Sequence, residues 1–488
     1  MSHLPTRVTS ACSYLVTPRH NHHVLRPLAA LTMLLTACSF SGDFGGTRYR
    51  CGEGGRCPDG QTCVAEYCVA ESPVDGGADG NIIVDPDAAT PDAATPDAAG
   101  PDAPPPAPVC GSLWLLTDTF DNTNPRPEFY AWTETGTTVT ETGGQLVVTV
   151  AGGDGTGFGG YTSNYFYDLT EGGLEAKIGA VGGRNTVIEV RNLQDQAAQV
   201  SWENGKISAR VFGVASPGIR REIAYDPAQV YWRIRVSAGV MYWETSANRT
   251  TWNLLHSEAA PFDVQHVRGS LLAGGAATAP STARFDEVNT AAPTSPGHCA
   301  GSTLVDDFAV APLPPIWFPY SDGACTVTET GGKLTMTFPG TGSVFCGIAS
   351  RHLYDFTASS LVIDSANLPS RTNFVSYLQL VSPLTGETRV ELTLDSGTLF
   401  TVNRINGTNG PQSNTTYNAT NHRYWRLRGV GTQVELAVSP DATTWTPRLT
   451  VTPGFALTAV EVNVGAGHYA NVTPSGGVTA QVPGVNAP

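Results

Sequence analysis

The heptapeptide TVTETGG runs from Thr138 to Gly144 and recurs unchanged from Thr326 to Gly332. Working outward from it, Pro127–Trp132 (PEFYAW) aligns with Pro315–Tyr320 (PIWFPY), and Tyr167–Thr170 (YDLT) with Tyr354–Thr357 (YDFT). Farther on, Tyr231-Trp232-Arg233 aligns with Tyr424-Trp425-Arg426, and Thr250-Thr251-Trp252 with Thr443-Thr444-Trp445. The spacing between partners drifts only from 187 to 193 residues and the order never changes. A fixed period with preserved order marks a duplication. The heptapeptide is therefore a register mark of two domains, 110–293 and 299–488, rather than a catalytic signature.

Each repeat alternates at period two, the signature of half-buried strands. Leu146, Val148 and Val150 point one way in the first copy, and Leu334, Met336 and Phe338 do so in the second. Trp232, Ile234 and Val236 alternate with Arg233 and Arg235; Trp425 and Leu427 alternate with Arg426 and Arg428. Short strands separated by Gly-, Asn- and Pro-rich turns predict an all-β chain of two tandem antiparallel sandwiches. Within the heptapeptide, Val139 and Val327 are expected to face inward, Glu141 and Glu329 to face solvent, and Thr-Gly-Gly to form a tight hairpin.

The order of these pieces carries a resemblance. An opening FD or DDF precedes a Trp or Tyr, a short Thr/Val strand and a G-G-x-L hairpin, and later YWR-I-R leads to S-x-(N/D)-x-T-W. This order resembles concanavalin A-like, laminin G-like jelly rolls of bacterial surface and sugar-processing proteins. The resemblance implies a jelly-roll fold for both repeats and no particular ligand.

The region before the repeats divides into three. Leu28–Cys38 is an apolar run too short to span a bilayer, which reads as a secretory signal peptide over 1–37. Leu35-Thr36-Ala37-Cys38 resembles the bacterial lipoprotein box, which implies acylation of Cys38 and attachment to the bacterial cell envelope, at the outer-membrane surface. Residues 38–70 hold Cys51, Cys57, Cys63 and Cys68, read as a small two-bridge segment whose connectivity stays open. Residues 71–109 carry a PDAAT beat and eight acidic residues without Lys or Arg, and read as a disordered, extended linker.

Cys325 and Cys346 are both absent from the first repeat, which leads us to expect a bridge between them. A bridge from Cys110 to Cys299 would clamp the two domains; the alternative is that each pairs elsewhere or stays free.

The net charge of −15 opposes nucleic-acid binding, which needs clustered Lys and Arg. No E-x-D-x-E run, HExxH, GxSxG or P-loop is present. Glu189, Glu391, Glu435 and Glu461 stand alone in strands, read as solvated, and His256, His266, His298, His352, His422 and His468 read as surface or loop residues. Two groups remain as binding candidates. Phe129, Tyr130 and Trp132, with Trp317, Phe318 and Tyr320, offer rings on which a sugar can stack. Arg233, Arg235, Arg426 and Arg428 offer guanidinium forks for an acidic group, unless they pair with acids such as Glu244 or Glu435. No cofactor or metal site is assigned, although Asp121, Asp286 and Glu287 are conceivable ligands of a structural calcium. The expected function is a non-enzymatic, lipid-anchored surface protein that presents two sandwiches to polysaccharide or surface proteins. The alternatives are a structural or interaction component of the envelope, or a carbohydrate-active enzyme of unrecognised type.

Overall fold

The computed structural model describes residues 61–64, 67–70, 109–153, 155–293, 295–339, 343–469 and 477–487. Cys38, Cys51, Cys57 and the stretch 71–108 lie outside the described residues. In the N-terminal unit, Gln61–Val64 pairs antiparallel with Tyr67–Ala70, which sets Cys63 opposite Cys68.

From residue 109 onward the chain forms two antiparallel β-sandwiches within one unit. One layer of the first sandwich has seven strands. From edge to edge they are Gly218–Ala224, Lys206–Phe212, Ala197–Glu203, Asn185–Asn192, Val267–Gly274, Phe158–Ser163 and Phe129–Thr133. The second sandwich repeats this layer as Thr408–Thr416, Thr398–Ile405, Thr385–Asp395, Val375–Ser382, Glu461–His468, Val344–Ser350 and Trp317–Asp322.

The facing layers differ. In the first sandwich it is one seven-stranded sheet, in which Gly173–Ala180 and Ser281–Val288 pair at its centre. In the second it is split into three strands and four, and Ile363 and Val485 make a lone bridge near the divide. The split coincides with the lost FDEV ending. In the first copy Asp286 binds Lys177 at 2.9 Å and Glu287 binds Arg249 at 3.1 Å, tying that strand to the neighbouring Gly173–Ala180 and to the turn after Val240–Ser246. Val478–Val482 offers no such acids.

The alternation read from the sequence is the alternation of the cores. Leu146, Val148, Val150, Trp232 and Ile234 are fully buried in one cluster, and Leu334, Met336, Trp425 and Leu427 in the other. Each aliphatic side chain so buried contributes about 1.5–3 kcal/mol. The heptapeptide turns as expected. Gly143 and Gly144 have φ of +62° and +70°, Gly331 and Gly332 +63° and +69°, and the N–H of Thr142 donates to the carbonyl of Gln145 at 2.9 Å. Two successive positive φ values suit the right-handed strand twist and favour Gly-Gly.

Its glutamates do not follow the expectation. Glu141 is only 7% exposed and accepts a 2.9 Å hydrogen bond from the Tyr161 hydroxyl. Strand parity explains this, because Val139 and Glu141 are two residues apart and share the inward face. Burial raises the Glu141 carboxyl to about 7. Both oxygens of Glu329 are likewise shielded from solvent, with no hydrogen-bond partner among the described residues.

Cys110 and Cys299 form a disulfide that joins the starts of the two sandwiches. The expected Cys325–Cys346 bridge is not formed; both are buried thiols. Cys346 points into the core from its strand and hydrogen-bonds Cys325, and burial holds its thiol well above the ordinary range.

The sandwiches also meet through equivalent segments that follow Phe158–Ser163 and Val344–Ser350. The Phe166 N–H donates to the Arg351 carbonyl at 2.8 Å, and the Tyr165 hydroxyl donates to Glu461 at 3.0 Å. His266 Nδ1 lies 3.0 Å from His352 Nε2. His352 and His298 are half-buried in loops, where burial lowers them to about 3 and about 4, and His422, also in a loop, and His468 are withdrawn from solvent.

Candidate functional site

The seven-stranded layers bury one face and turn the other outward. On Thr385–Asp395, Val390, Leu392 and Leu394 enter the core. Arg389, Glu391, Thr393 and Asp395 must then point out. Tyr377 and Gln379 flank them on one side, Phe400, Val402 and Arg404 on the other. Together with Gln412, Phe345 and Tyr469 these side chains line a cleft of about 360 Å³.

Charges in the cleft are organised around Glu391, which is 4% exposed. It accepts from Gln379 Nε2 at 2.7 Å and Arg389 Nε at 2.9 Å, and Arg404 reaches its other oxygen at 3.4 Å. Glu391 is thus a clamped carboxylate rather than a solvated one. Asp395, four residues along the same face, has no hydrogen-bond or ion-pair partner among the described residues. Rings border the polar floor. Phe345 and Tyr469 pack edge to face with centroids 5.1 Å apart, and Tyr469 is 60% exposed. Below them the Tyr320 and Tyr377 hydroxyls meet at 2.7 Å. A methyl group at Gly465 would overlap both oxygens, so glycine at that position admits the tyrosine pair.

The first sandwich presents the same plan. Glu189, 3% exposed, accepts from Gln199 at 2.5 Å and from Arg191 at 2.7 Å. Tyr130, Thr162, Ser270 and Glu189 stand in register across four strands. Trp132 Nε1 donates to Thr162 Oγ1 at 3.0 Å, and Thr162 Oγ1 lies 3.0 Å from Ser270 Oγ.

The aromatic candidates from the sequence therefore divide. Phe129 and Trp317 are core residues, 3% and 1% exposed. Tyr130 and Phe318 are exposed on the outward faces, Trp132 is half-buried beside Tyr130, and Tyr320 supports the cleft floor. The arginine candidates sit on the opposite layer. Arg233 and Arg235 both bind Glu244, at 2.8 Å and 3.0 Å, and stack on Trp252 and Tyr242. Arg426 binds Glu435 at 2.7 Å and stacks on Trp445. Arg428 stands opposite Glu435 and is exposed. Stacking and pairing use up three of these four guanidiniums. Asp286 and Glu287 are engaged by Lys177 and Arg249, whereas Asp121 accepts from the Thr119 hydroxyl at 2.7 Å. Among the described residues no three His, Cys, Asp or Glu side chains converge as a metal cage.

No protein-family profile and no curated protein matches the sequence. Solved structures do. A prokaryotic β-1,3-1,4-glucanase (lichenase) from a mouse hindgut metagenome aligns at 10% identity, covering 35% of this chain and 96% of that one, with a TM-score of 0.27. The β-glucanase of Bacillus licheniformis aligns at 12% identity over 35% and 95%, TM-score 0.27. The carbohydrate recognition domain of Emp47p gives 12% identity over 35% and 91%, TM-score 0.27. Two of these three are enzymes. Set beside them, the expectation of a chain without enzymatic activity is not retained.

Proposed function

We propose that the second sandwich binds a glycan chain in the cleft between Tyr469 and Arg404. One observation carries this reading: rings and hydrogen-bonding side chains share a single cleft on a rigid sheet. Sugars offer both an apolar ring face and a rim of hydroxyls, and sites for such ligands pair apolar walls with a few placed polar groups. Phe345, Phe400 and Tyr469 supply the first. Gln379, Arg389, Arg404 and Gln412 supply the second.

A second reading is favoured by the two carboxylates on one strand face. Glycoside cleavage uses a pair of acids flanking the scissile bond, and Glu391 and Asp395 are the acids of this cleft. In this reading the bound chain is also cut or transferred.

The Cys38 lipobox and the acidic stretch 71–109 support presentation of both sandwiches from a lipid anchor at the cell envelope. Mass spectrometry of the mature N-terminus checks that part: a diacylated Cys38 is expected, and a mature chain beginning elsewhere contradicts it. A polysaccharide array probed with the full chain tests the binding itself, and reducing-sugar release from each polymer it retains separates the two readings. Retention of no polymer rejects both.

A further inference from the structure

Where the sandwiches meet, a short ladder of rings and guanidiniums crosses the seam. Phe166 is 5% exposed. The Arg268 guanidinium lies 4.5 Å from its ring centroid and that of Arg351 5.4 Å. Arg351 also lies 5.3 Å from the ring of Phe318, which is 46% exposed. Tyr130, 37% exposed, has its hydroxyl beside Arg268. The order Tyr130, Arg268, Phe166, Arg351, Phe318 thus runs from the outward face of one sandwich to that of the other.

The charge of this ladder departs from the rule of both faces. Arg191 pairs with Glu189, Arg210 with Glu203, and Arg389 and Arg404 with Glu391. Arg268 and Arg351 have no carboxylate partner among the described residues. Arg268 gives one N–H to the Asn164 carbonyl at 3.2 Å, and Arg351 gives its Nε–H to the Trp317 carbonyl at 2.8 Å. Arg268 Nε is shielded from solvent and has no hydrogen-bond partner. Glu461, on the same seam, is taken by Tyr165 and Asn463. Two partly desolvated guanidiniums sit close enough to repel, and burial together with the charge of Arg268 brings Arg351 down to about 10. Both guanidiniums are half-buried and held by rings and backbone carbonyls without a carboxylate, which leaves their positive charge unneutralised within the fold. The terminal N–H groups of Arg351, which have no partner among the described residues, form the planar fork that takes carboxylate or sulfate bidentately.

We infer that this seam is a second binding site, one for the acidic groups of a glycan, with Arg268 and Arg351 as the anion-holding pair and Tyr130 and Phe318 as flanking rings. It rests on the glycan reading above and specifies the ligand class: a polymer bearing uronate carboxylates or ester sulfates. Only the joined sandwiches make it, since each contributes one arginine.

The test uses the full chain in affinity electrophoresis against polygalacturonate, dextran sulfate and neutral dextran, at several salt concentrations. The expected result is retardation by an acidic polymer at least tenfold stronger than by dextran, weakening as salt rises. Whichever acidic polymer retards more identifies carboxylate or sulfate as the group held. R268Q and R351Q are each expected to weaken acidic binding about tenfold, the scale of a lost charge-assisted hydrogen bond. R351K, which keeps charge but loses the fork, should recover only part. R221Q, exposed on the far edge strand Gly218–Ala224, serves as the control and should match the unaltered chain. If R268Q destabilises the seam, R268K keeps the charge and is compared instead. Equal binding of neutral and acidic polymers, or acidic binding untouched by R268Q and R351Q, overturns the inference and leaves the glycan reading standing. Binding of no polymer overturns both.

Discussion

Glu391 and Gln379 face each other across adjacent strands at 2.7 Å, and Glu189 and Gln199 do the same at 2.5 Å at the equivalent place in the other sandwich, with acid and amide exchanged between strands. In each copy an arginine two residues from the acid on its own strand completes the group. The duplication has thus kept the pair while swapping which strand supplies the charge.

This exchange makes a reciprocal test. Glu391→Gln leaves Arg389 and Arg404 without their shared partner and should cost about 3 kcal/mol, the scale of breaking a buried ion pair. Adding Gln379→Glu returns a carboxylate to the pair, on the strand that carries it in the first sandwich, and should recover part of that loss. Urea unfolding of both variants measures it. A double variant no more stable than the single one would show that the two arrangements are not equivalent.

Glu141 gives a pH dependence with a definite sign. Its carboxyl is raised to about 7 in the folded chain from an ordinary value of 4.5. The folded state therefore holds the proton more tightly, so this contribution to stability is complete below about pH 4.5 and is lost as pH rises through 7. Glu141→Gln removes the titration. Melting temperatures at pH 5 and pH 8 should fall more steeply in the unaltered chain than in this variant. Parallel slopes would mean that Glu141 is ionised throughout.

Cys325 and Cys346 should resist alkylation in the folded chain, because both are buried and the Cys346 thiol is held protonated. Unfolding without reductant should expose both to iodoacetamide, read by peptide mapping. Peptides that remain cross-linked after unfolding would contradict the free thiols.

The Cys110–Cys299 bridge closes a long loop and joins two separate cores. Replacing both residues with serine should cost about 2–5 kcal/mol. It should also split thermal unfolding into two transitions, as the seam opens before either core. A single unshifted transition in calorimetry would show that the noncovalent seam suffices.

Much of the fold was legible because strand periodicity and internal repetition are both local signals. TVTETGG aligned the copies, and Leu146, Val148 and Val150 gave the inward face directly. The candidate site was legible only in part. The Pro127–Trp132 alignment located the edge strands of the outward faces, but nothing local told Phe129 and Trp317, which are core, from Tyr130 and Phe318, which are not. That distinction is one of parity about the sheet, and parity also buried Glu141. The cleft itself joins residues from 345 to 469, and its charge pairing depends on register between strands, which no single stretch encodes. The seam was further from reach. Arg268 and Arg351 belong to different domains, and their repeat equivalents are Glu461 and Asn164, so the alignment that found the domains conceals the pair.

The account rests most directly on the cleft of the second sandwich, and the affinity of Tyr469→Ala for the polysaccharide best retained by the full chain tests it. Tyr469 is exposed and outside the core, so its loss leaves the fold intact while removing a ring from the cleft wall. The predicted result is a dissociation constant raised about tenfold, near 1.4 kcal/mol, with an unchanged melting temperature. An affinity equal to that of the unaltered chain would place the glycan elsewhere and contradict the account.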